Sequence, residues 1–203
     1  MAGADAREPV PFIGLTGGIA AGKSEALRAL ERLGAATLST DEVVHELLAT
    51  DEARDELVGR LGARVAPSGR VDRDAVARVV FEGPEEREWL EGYLWPRVGE
   101  RVAGWREEEL RREPRPRALV VEVPLLFEAG MQGAFDRTIA VTASGATRAA
   151  RAGERGQAGL ATREERQLSQ EEKEERADFT VRNDGTLDEL EAELSAILSR
   201  IGS

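Results

Sequence analysis

The feature that most constrains this chain is a glycine-rich segment at residues 17–24, which matches the pattern G-x-x-x-x-G-K-[ST]. In such a segment the backbone N–H groups converge on an anion at the start of a helix, and the lysine adds a full positive charge. The serine hydroxyl is placed to bind Mg²⁺. The pattern therefore predicts a site for nucleotide phosphates, formed by Gly17, Gly18, Ile19, Ala20, Ala21, Gly22, Lys23 and Ser24 with the adjoining Glu25.

The balance of basic residues supports the assignment of Lys23. The chain contains 26 arginines and only two lysines, of which Lys23 is one. An ammonium is a compact charge that fits between phosphate oxygens, whereas a guanidinium is planar and larger. A chain with this arginine bias is therefore expected to keep a lysine where phosphates bind. The other lysine, Lys173, lies in a charged helical stretch and has no predicted chemical role.

The residues on either side of the loop predict a strand before it and a helix after it. Residues 10–16 form a short apolar run, which is typical of a buried strand. After the loop, Leu27, Leu30 and Leu33 recur at helical spacing, and Gly34 is suited to end the helix. A phosphate site of this kind needs this order of strand, glycine loop and helix.

Further apolar runs predict an α/β fold. Buried strands are expected at residues 36–39, 118–123 and 138–142, and a weaker one at 179–182. Strands that alternate with helical stretches indicate a five-stranded parallel sheet wrapped by helices. Ligands are then expected at the carboxyl ends of the strands.

The segment between the second and third strands, about eighty residues, is too long for a single crossover helix. Its pattern is mostly helical, with a stretch rich in Glu and Arg at residues 96–112. We predict an inserted helical subdomain at residues 41–113 that covers the second substrate. Helix starts are indicated at Asp41, Asp51, Asp72 and Pro84.

Residues 146–175 combine arginines with glycines and show no apolar periodicity. This combination predicts a lid that closes on phosphates. The alternative is a solvated helix pair held by contacts between Glu and Arg side chains. The arginines concerned are Arg148, Arg151, Arg155, Arg163 and Arg166.

The predicted organisation is therefore a short N-terminal extension, residues 1–9, followed by a single domain, residues 10–203. The core of this domain is divided by the insert and the lid. Its segments are expected at residues 10–40, 114–145 and 176–203.

Composition limits the compartment and the partners. The chain has no cysteine and no run of about 18 apolar residues, and its first eight residues lack the features of a signal peptide. We therefore expect a cytoplasmic protein without disulfides. The net charge of −11 opposes non-specific binding to nucleic acid or to an anionic membrane, so the phosphate site must be a local positive region. No obligate protein partner is inferred.

Asp41 is the candidate general base. It follows the second predicted strand, and a strand next to the loop places its carboxyl end near the γ-phosphate. A carboxylate there can accept the proton of an attacking hydroxyl. Asp41 is equally suited to cap the helix that follows, so the residue pattern alone leaves both roles open.

Across residues 12–198 the chain resembles the dephospho-coenzyme A kinase family, P-loop kinases that use ATP to phosphorylate the ribose 3′-hydroxyl of dephospho-CoA. The specific part of the resemblance is the loop together with Val-Pro-Leu-Leu-Phe-Glu at residues 123–128. The supporting stretches are residues 14–19, 38–41, 71–73, 79–81, 88–91 ahead of Trp95-Pro96, the pair Arg151 and Arg155, residues 165–167 ahead of Lys173, 177–179 and 183–185.

The resemblance implies a P-loop kinase fold with a helical substrate-binding insert and an arginine-bearing lid. It also implies ATP and dephospho-CoA as substrates, with Mg²⁺. By resemblance, Asp41 is the general base, Lys23 and the loop amides hold the ATP phosphates, and Arg151 and Arg155 close over them. Asn183 falls at a position suited to an adenine contact, although Asn-Asp-Gly is equally typical of a turn.

Three positions depart from the family pattern. Ser39-Thr40-Asp41 stands where the family usually has Asp-Ala-Asp, so only the second carboxylate is present. Glu25 replaces a threonine and sets a negative charge near the phosphates. Trp95 replaces a histidine, so any substrate contact by that histidine is absent. The only histidine of the chain, His45, is expected at the surface or in helix packing.

Other nucleotide-binding classes fit the sequence less well. A small GTPase needs an Asn-Lys-x-Asp motif, which the chain lacks. A motor or AAA-type ATPase needs an acidic pair at the end of an apolar strand, which Glu122 followed by Val123 does not supply. The main alternative is another small-molecule P-loop kinase, of the nucleoside monophosphate or shikimate type. A nucleotide-binding regulator without catalysis is the alternative from a different class.

Overall fold

The structure is a computed structural model that describes residues 9–155 and 167–202, with the backbone alone at residues 82 and 152–155. Its strands are β1 Phe12–Gly17, β2 Ala36–Ser39, β3 Leu119–Glu122, β4 Arg137–Thr142 and β5 Phe179–Arg182. They form one five-stranded parallel sheet in the order β2-β3-β1-β4-β5. The predicted sheet is confirmed, and β1, which ends at the glycine loop, is its central strand.

The helices predicted around the sheet are also found, and further helices lie between β2 and β3. The α-helices in the described residues are α1 Lys23–Arg32, α2 Thr40–Leu48, α3 Asp51–Leu61, α4 Arg73–Glu82, α5 Pro84–Leu110, α6 Gly145–Arg155, α7 Gln170–Arg176 and α8 Leu187–Ile201. Two short 3₁₀ helices occur at Ala63–Val65 and Met131–Ala134.

Helix α5 is longer than the sequence suggested. It runs through Pro96, so the stretch at residues 96–112 is mostly the second half of one helix. Proline removes one helical hydrogen bond and usually kinks or ends a helix. Leu94 and Val98, on either side of Pro96, are both buried, and this packing sustains the helix through the proline.

Helix α1 packs with α8 against the central strands. Leu30 of α1 and Leu194 of α8 are fully buried in the same apolar core. The end of α1 is fixed by Gly34, which has a left-handed φ of 89°. The Gly34 N–H donates to Glu31 O at 2.9 Å and the Ala35 N–H to Leu30 O at 3.0 Å, the two bonds of a Schellman motif. The predicted C-terminal cap is confirmed.

The chain divides into two compact units. One unit is Thr40–Trp105, and the other combines the residues before and after it. The unit Thr40–Trp105 has its own apolar core, in which Leu57 and Val65 are fully buried. This unit overlaps the predicted insert at 41–113 but ends earlier. The substrate-binding role of the insert stays a prediction. The predicted N-terminal extension, residues 1–9, lies outside the described residues except for residue 9.

Asp184 connects the end of β5 to the start of α6. Its Oδ1 accepts hydrogen bonds from the Ser144 N–H at 2.7 Å and the Thr147 hydroxyl at 2.8 Å, and its Oδ2 accepts one from Arg182 Nε at 2.8 Å. The hydrogen bond from the Ser144 amide lowers the pKa of Asp184 most, followed by those from Arg182 and Thr147. Together these donors hold the pKa of Asp184 well below its usual value.

We predict a pH-dependent loss of stability in Asp184→Asn. Because folding lowers the pKa of Asp184, the carboxylate stabilises the fold fully above its unfolded pKa of roughly 4 and progressively less as the pH falls below it. Urea unfolding of both proteins between about pH 7 and about pH 3 checks this. The difference in free energy of unfolding should be largest at neutral pH, and a difference independent of pH would contradict the role.

Candidate active site

The glycine loop connects β1 to α1, and its two ends have room only for glycine. A Cβ added to Gly17 would collide with the backbone carbonyl of Val141 in the neighbouring strand β4. Gly22 has a left-handed φ of 94°, and a Cβ there would collide with the side-chain amide of Asn183. The pattern therefore requires glycine at Gly17 because of close packing, and at Gly22 because of close packing and a left-handed backbone conformation.

The sign of the backbone dihedral φ alternates along the loop from Ala20 to Gly22. Ala20, at φ 58°, is a non-glycine residue with positive φ, and Gly22 follows with the same sign after Ala21. The Ala21 N–H closes a turn to Gly18 O at 3.2 Å. Residues of alternating hand direct successive N–H groups to one side, which forms an anion-binding concavity.

Helix α1 begins at Lys23, and within the described residues no side-chain hydrogen bond caps it. The N–H groups at the start of the helix, before the Glu25 N–H that donates to Gly22 O at 3.0 Å, are therefore suited to an anion. Lys23 Nζ donates to the carbonyls of Gly17 and Gly18 at 3.2 Å each, so the ammonium lies across the loop. Ser24 is exposed in the first turn of the helix.

The negative charge of Glu25 has a positive partner on its own helix. Its carboxylate pairs with Arg28 of the same helix at 3.3 Å. This partner reduces the repulsion that Glu25 would exert on bound phosphates.

Asn183 and Arg151 contact the loop from outside. Asn183 is 3% exposed, and its Nδ2 donates to Ala21 O at 3.0 Å. Arg151 Nη1 donates to the same carbonyl at 3.3 Å, and Nη2 donates to Asn183 Oδ1 at 3.4 Å. Both residues therefore contact the loop at the carbonyl of Ala21, and they also bond to each other. Their contacts with ATP stay predictions.

A buried carboxylate that the sequence interpretation set aside lies at the end of β3. Glu122 is 6% exposed, and its Oε2 accepts a hydrogen bond from the hydroxyl of Ser39 at 2.8 Å. Ser39 ends β2 and pairs in register with Glu122. The signal that could have identified Glu122 is its position as the one charged residue in the apolar run at 118–123.

Asp41 is the second residue of α2, and its side chain is exposed. The helix begins one residue earlier, at Thr40, so the alternative that Asp41 is the N-cap is wrong. A carboxylate in the first turn still interacts favourably with the helix dipole. Asp41 belongs to the unit Thr40–Trp105 and the loop to the other unit, so its role as general base stays a prediction.

The predicted lid is described in part. Helix α6 carries Arg148 and Arg151, and the Nε of Arg148 is buried without a hydrogen-bond partner among the described residues. Arg155 ends the same helix, but its side chain lies outside what the structure describes. Arg163 and Arg166 also lie outside the described residues, so lid closure stays a prediction.

Two further positions singled out in the sequence are exposed. His45 lies on the surface of α2, with Nδ1 2.9 Å from Arg73 Nη1, as expected for a surface histidine. Trp95, at the position of the family histidine, is 50% exposed. In the part of the chain that the structure describes, no helix is both long and apolar enough to cross a membrane.

Comparison with known proteins assigns the family. The model of the dephospho-CoA kinase family matches residues 11–189. A dephospho-CoA kinase of Synechococcus sp. (strain CC9902) is 36% identical over 196 residues, which cover 94% of this chain and 96% of that protein. The dephospho-CoA kinase of Moorella thermoacetica is 45% identical over 139 residues, which cover 68% of this chain and 65% of that protein.

A solved structure shares the fold of this chain. The crystal structure of a Thermus thermophilus protein superposes with a TM-score of 0.80 at 32% identity, covering 95% of this chain and 98% of that one. The central parallel sheet and the glycine loop at the end of β1 agree with this likeness. The chain therefore belongs to the dephospho-CoA kinase family of ATP-dependent phosphotransferases.

Proposed function

We propose that this chain transfers the γ-phosphoryl group of ATP to the ribose 3′-hydroxyl of dephospho-CoA, which yields CoA and ADP. The observation that carries the proposal is a family match over residues 11–189 that includes a formed phosphate loop. The loop supports the phosphoryl donor, and the family supports the acceptor. Another small-molecule P-loop kinase activity, of the nucleoside monophosphate or shikimate type, is not favoured by the match.

The loop would hold the donor by electrostatics. Phosphoryl transfer depends mainly on positioning and on stabilising the charge of the transferring group. The first-turn N–H groups of α1 supply fixed partial charges, and Lys23 supplies a full one. Lys23 Nζ now bonds to two loop carbonyls, so it would exchange these partners for phosphate oxygens when ATP binds.

The residues present fit a magnesium ion. The exposed hydroxyl of Ser24 is an oxygen ligand in the first turn of α1. In the described residues no three His, Cys, Asp or Glu side chains form a metal cluster, and Mg²⁺ beside a nucleotide is held chiefly by phosphate oxygens and water. Ser24 would hold the ion, which when bound neutralises charge on the phosphates.

Asp41 would act as the general base. The ribose O3′ attacks the γ-phosphorus, the bond from that phosphorus to the bridging β–γ oxygen breaks, and ADP leaves with the electron pair. The proton of the 3′-hydroxyl passes to the carboxylate of Asp41. The exposed carboxylate in the first turn of α2, two residues after β2, supports this role.

The lid arginines would complete the donor site. Arg151 and Arg155 would close over the phosphates and neutralise their charge. Arg151 is already held at the loop by Ala21 O and Asn183, so a small change of partners would bring it to a phosphate. We also assign Asn183 to the adenine side of the ATP site and place the reaction in the cytoplasm.

We predict turnover with dephospho-CoA in the presence of ATP and Mg²⁺. A coupled assay of ADP release, with AMP, shikimate and adenosine as competing acceptors, measures it. The value of kcat/KM for dephospho-CoA should exceed the others by at least about a hundredfold. Equal turnover of AMP would instead support a nucleoside monophosphate kinase.

We predict that Asp41→Asn lowers the transfer rate by roughly 10²- to 10⁴-fold, because asparagine cannot accept the proton at neutral pH. The melting temperature should stay within a few degrees, since Asp41 is exposed and lies in the first turn rather than at the cap. Steady-state kinetics and thermal unfolding check the two effects. Retention of more than about a tenth of wild-type turnover would show that Asp41 is not the base.

A further inference from the structure

Lys173 is the largest side chain that is fully buried in the described residues, at 0% exposure. Its Nζ donates to the carbonyl of Pro124 at 2.8 Å and lies 3.0 Å from Glu128 Oε1. Both partners belong to the segment that follows β3. A buried ammonium is costly unless it is paired and hydrogen-bonded, and here both conditions hold.

The partners of Lys173 extend to two other parts of the structure. The Pro124 carbonyl also accepts a hydrogen bond from the hydroxyl of Thr16, at 3.3 Å. Thr16 is the residue before Gly17 in β1. Glu128 Oε1 accepts the N–H of Leu168, at the C-terminal end of the predicted lid, at 2.9 Å. The pair therefore joins the lid end, the segment after β3 and the strand that leads into the loop.

A second residue of α7 supports the same connection. Gln170 lies one turn before Lys173, and its side chain both accepts from the Ala143 N–H and donates to Ala143 O at 2.9 Å. Its Cγ is 3.1 Å from where a Cβ on Gly18 would lie, so it packs directly over the loop. Gln170 and Lys173 are neighbours on one face of α7, so this face contacts Ala143, the loop and the segment after β3.

We propose that Lys173 and Glu128 are positioning residues for phosphoryl transfer, holding Leu168 and α7, the C-terminal part of the predicted lid, in place against the phosphate loop. The proposal rests on the proposed function. An arginine would not fit, because the ammonium serves two acceptors inside a fully enclosed space. This gives the second lysine of an arginine-rich chain a role that its sequence context did not show.

A purely structural ion pair is the competing explanation, and charge-neutral variants separate the two. Lys173→Met leaves the carboxylate of Glu128 without its counter-charge and is expected to destabilise the fold. The double variant Lys173→Met/Glu128→Gln removes both charges, and the glutamine keeps an oxygen for the Leu168 N–H. Its stability should therefore recover, but no group then connects α7 to Pro124. Glu175→Gln, an exposed neutral substitution on α7, is the matched control.

The experiment measures urea unfolding, kcat per folded molecule and amide hydrogen exchange for wild type, the double variant and the control. In the double variant we expect near-wild-type stability, a kcat lowered by about tenfold to a hundredfold, and faster exchange of the Ala143 N–H. The control should match wild type in all three. The proposal would be overturned if the double variant had both the kcat and the stability of the wild type, or if its Ala143 N–H exchanged at the wild-type rate. If the wild-type protein did not turn over dephospho-CoA, the proposed function would be wrong. The exchange rate of the Ala143 N–H in the double variant would then decide whether Lys173 and Glu128 position α7.

Discussion

The junction between β1 and α1 is the constraint on which the rest of the structure depends. The strand ends at Gly17, pressed against the backbone of β4, and the helix begins at Lys23 without a side-chain cap among the described residues. Between them, the backbone alternates in hand at Ala20 and Gly22. We propose that this geometry binds a phosphate, since a phosphate bears the negative charge that a helix N-terminus and an ammonium attract.

The loop is held in this form by residues distant in sequence. Asn183 follows β5, Gln170 begins α7 and Arg151 lies on α6, yet each of the three contacts the loop. The hydrogen bonds that Asn183 and Arg151 donate to Ala21 O fix the position of this carbonyl better than flexible surface contacts would, and Gln170 adds packing. Preorganisation matters for phosphoryl transfer because most of the rate acceleration comes from fixed charges that need not rearrange. The arrangement connects helices α6 and α7 to the groups that we propose hold the phosphates.

Local patterns in the sequence predicted most of the fold, and long-range contacts account for what they missed. The strands Ala36–Ser39 and Phe179–Arg182 have the predicted bounds, because their signal lies in neighbouring residues. Ser144 and Thr147 lie about forty residues from Asp184, and Pro124 and Glu128 lie about forty-five to fifty residues from Lys173, so no local pattern reveals these contacts. The interpretation of Asp41 as an N-cap missed the helix start by one residue, because a residue pattern locates a start only to within a residue or two. The motif located the loop, whereas the hydrogen bond between Glu122 and Ser39 depends on the pairing of β2 with β3, which the sequence did not specify.

The most direct test of the account is to replace Lys23 with arginine, the cation that this chain otherwise prefers. Lys23→Arg keeps the positive charge but replaces a compact ammonium with a planar guanidinium at the phosphate loop. Transfer from ATP to dephospho-CoA should fall by at least about a hundredfold, while circular dichroism and the free energy of unfolding stay close to wild type. Near-wild-type turnover in a folded Lys23→Arg protein would contradict the claim that the loop needs a lysine to hold the transferring phosphate.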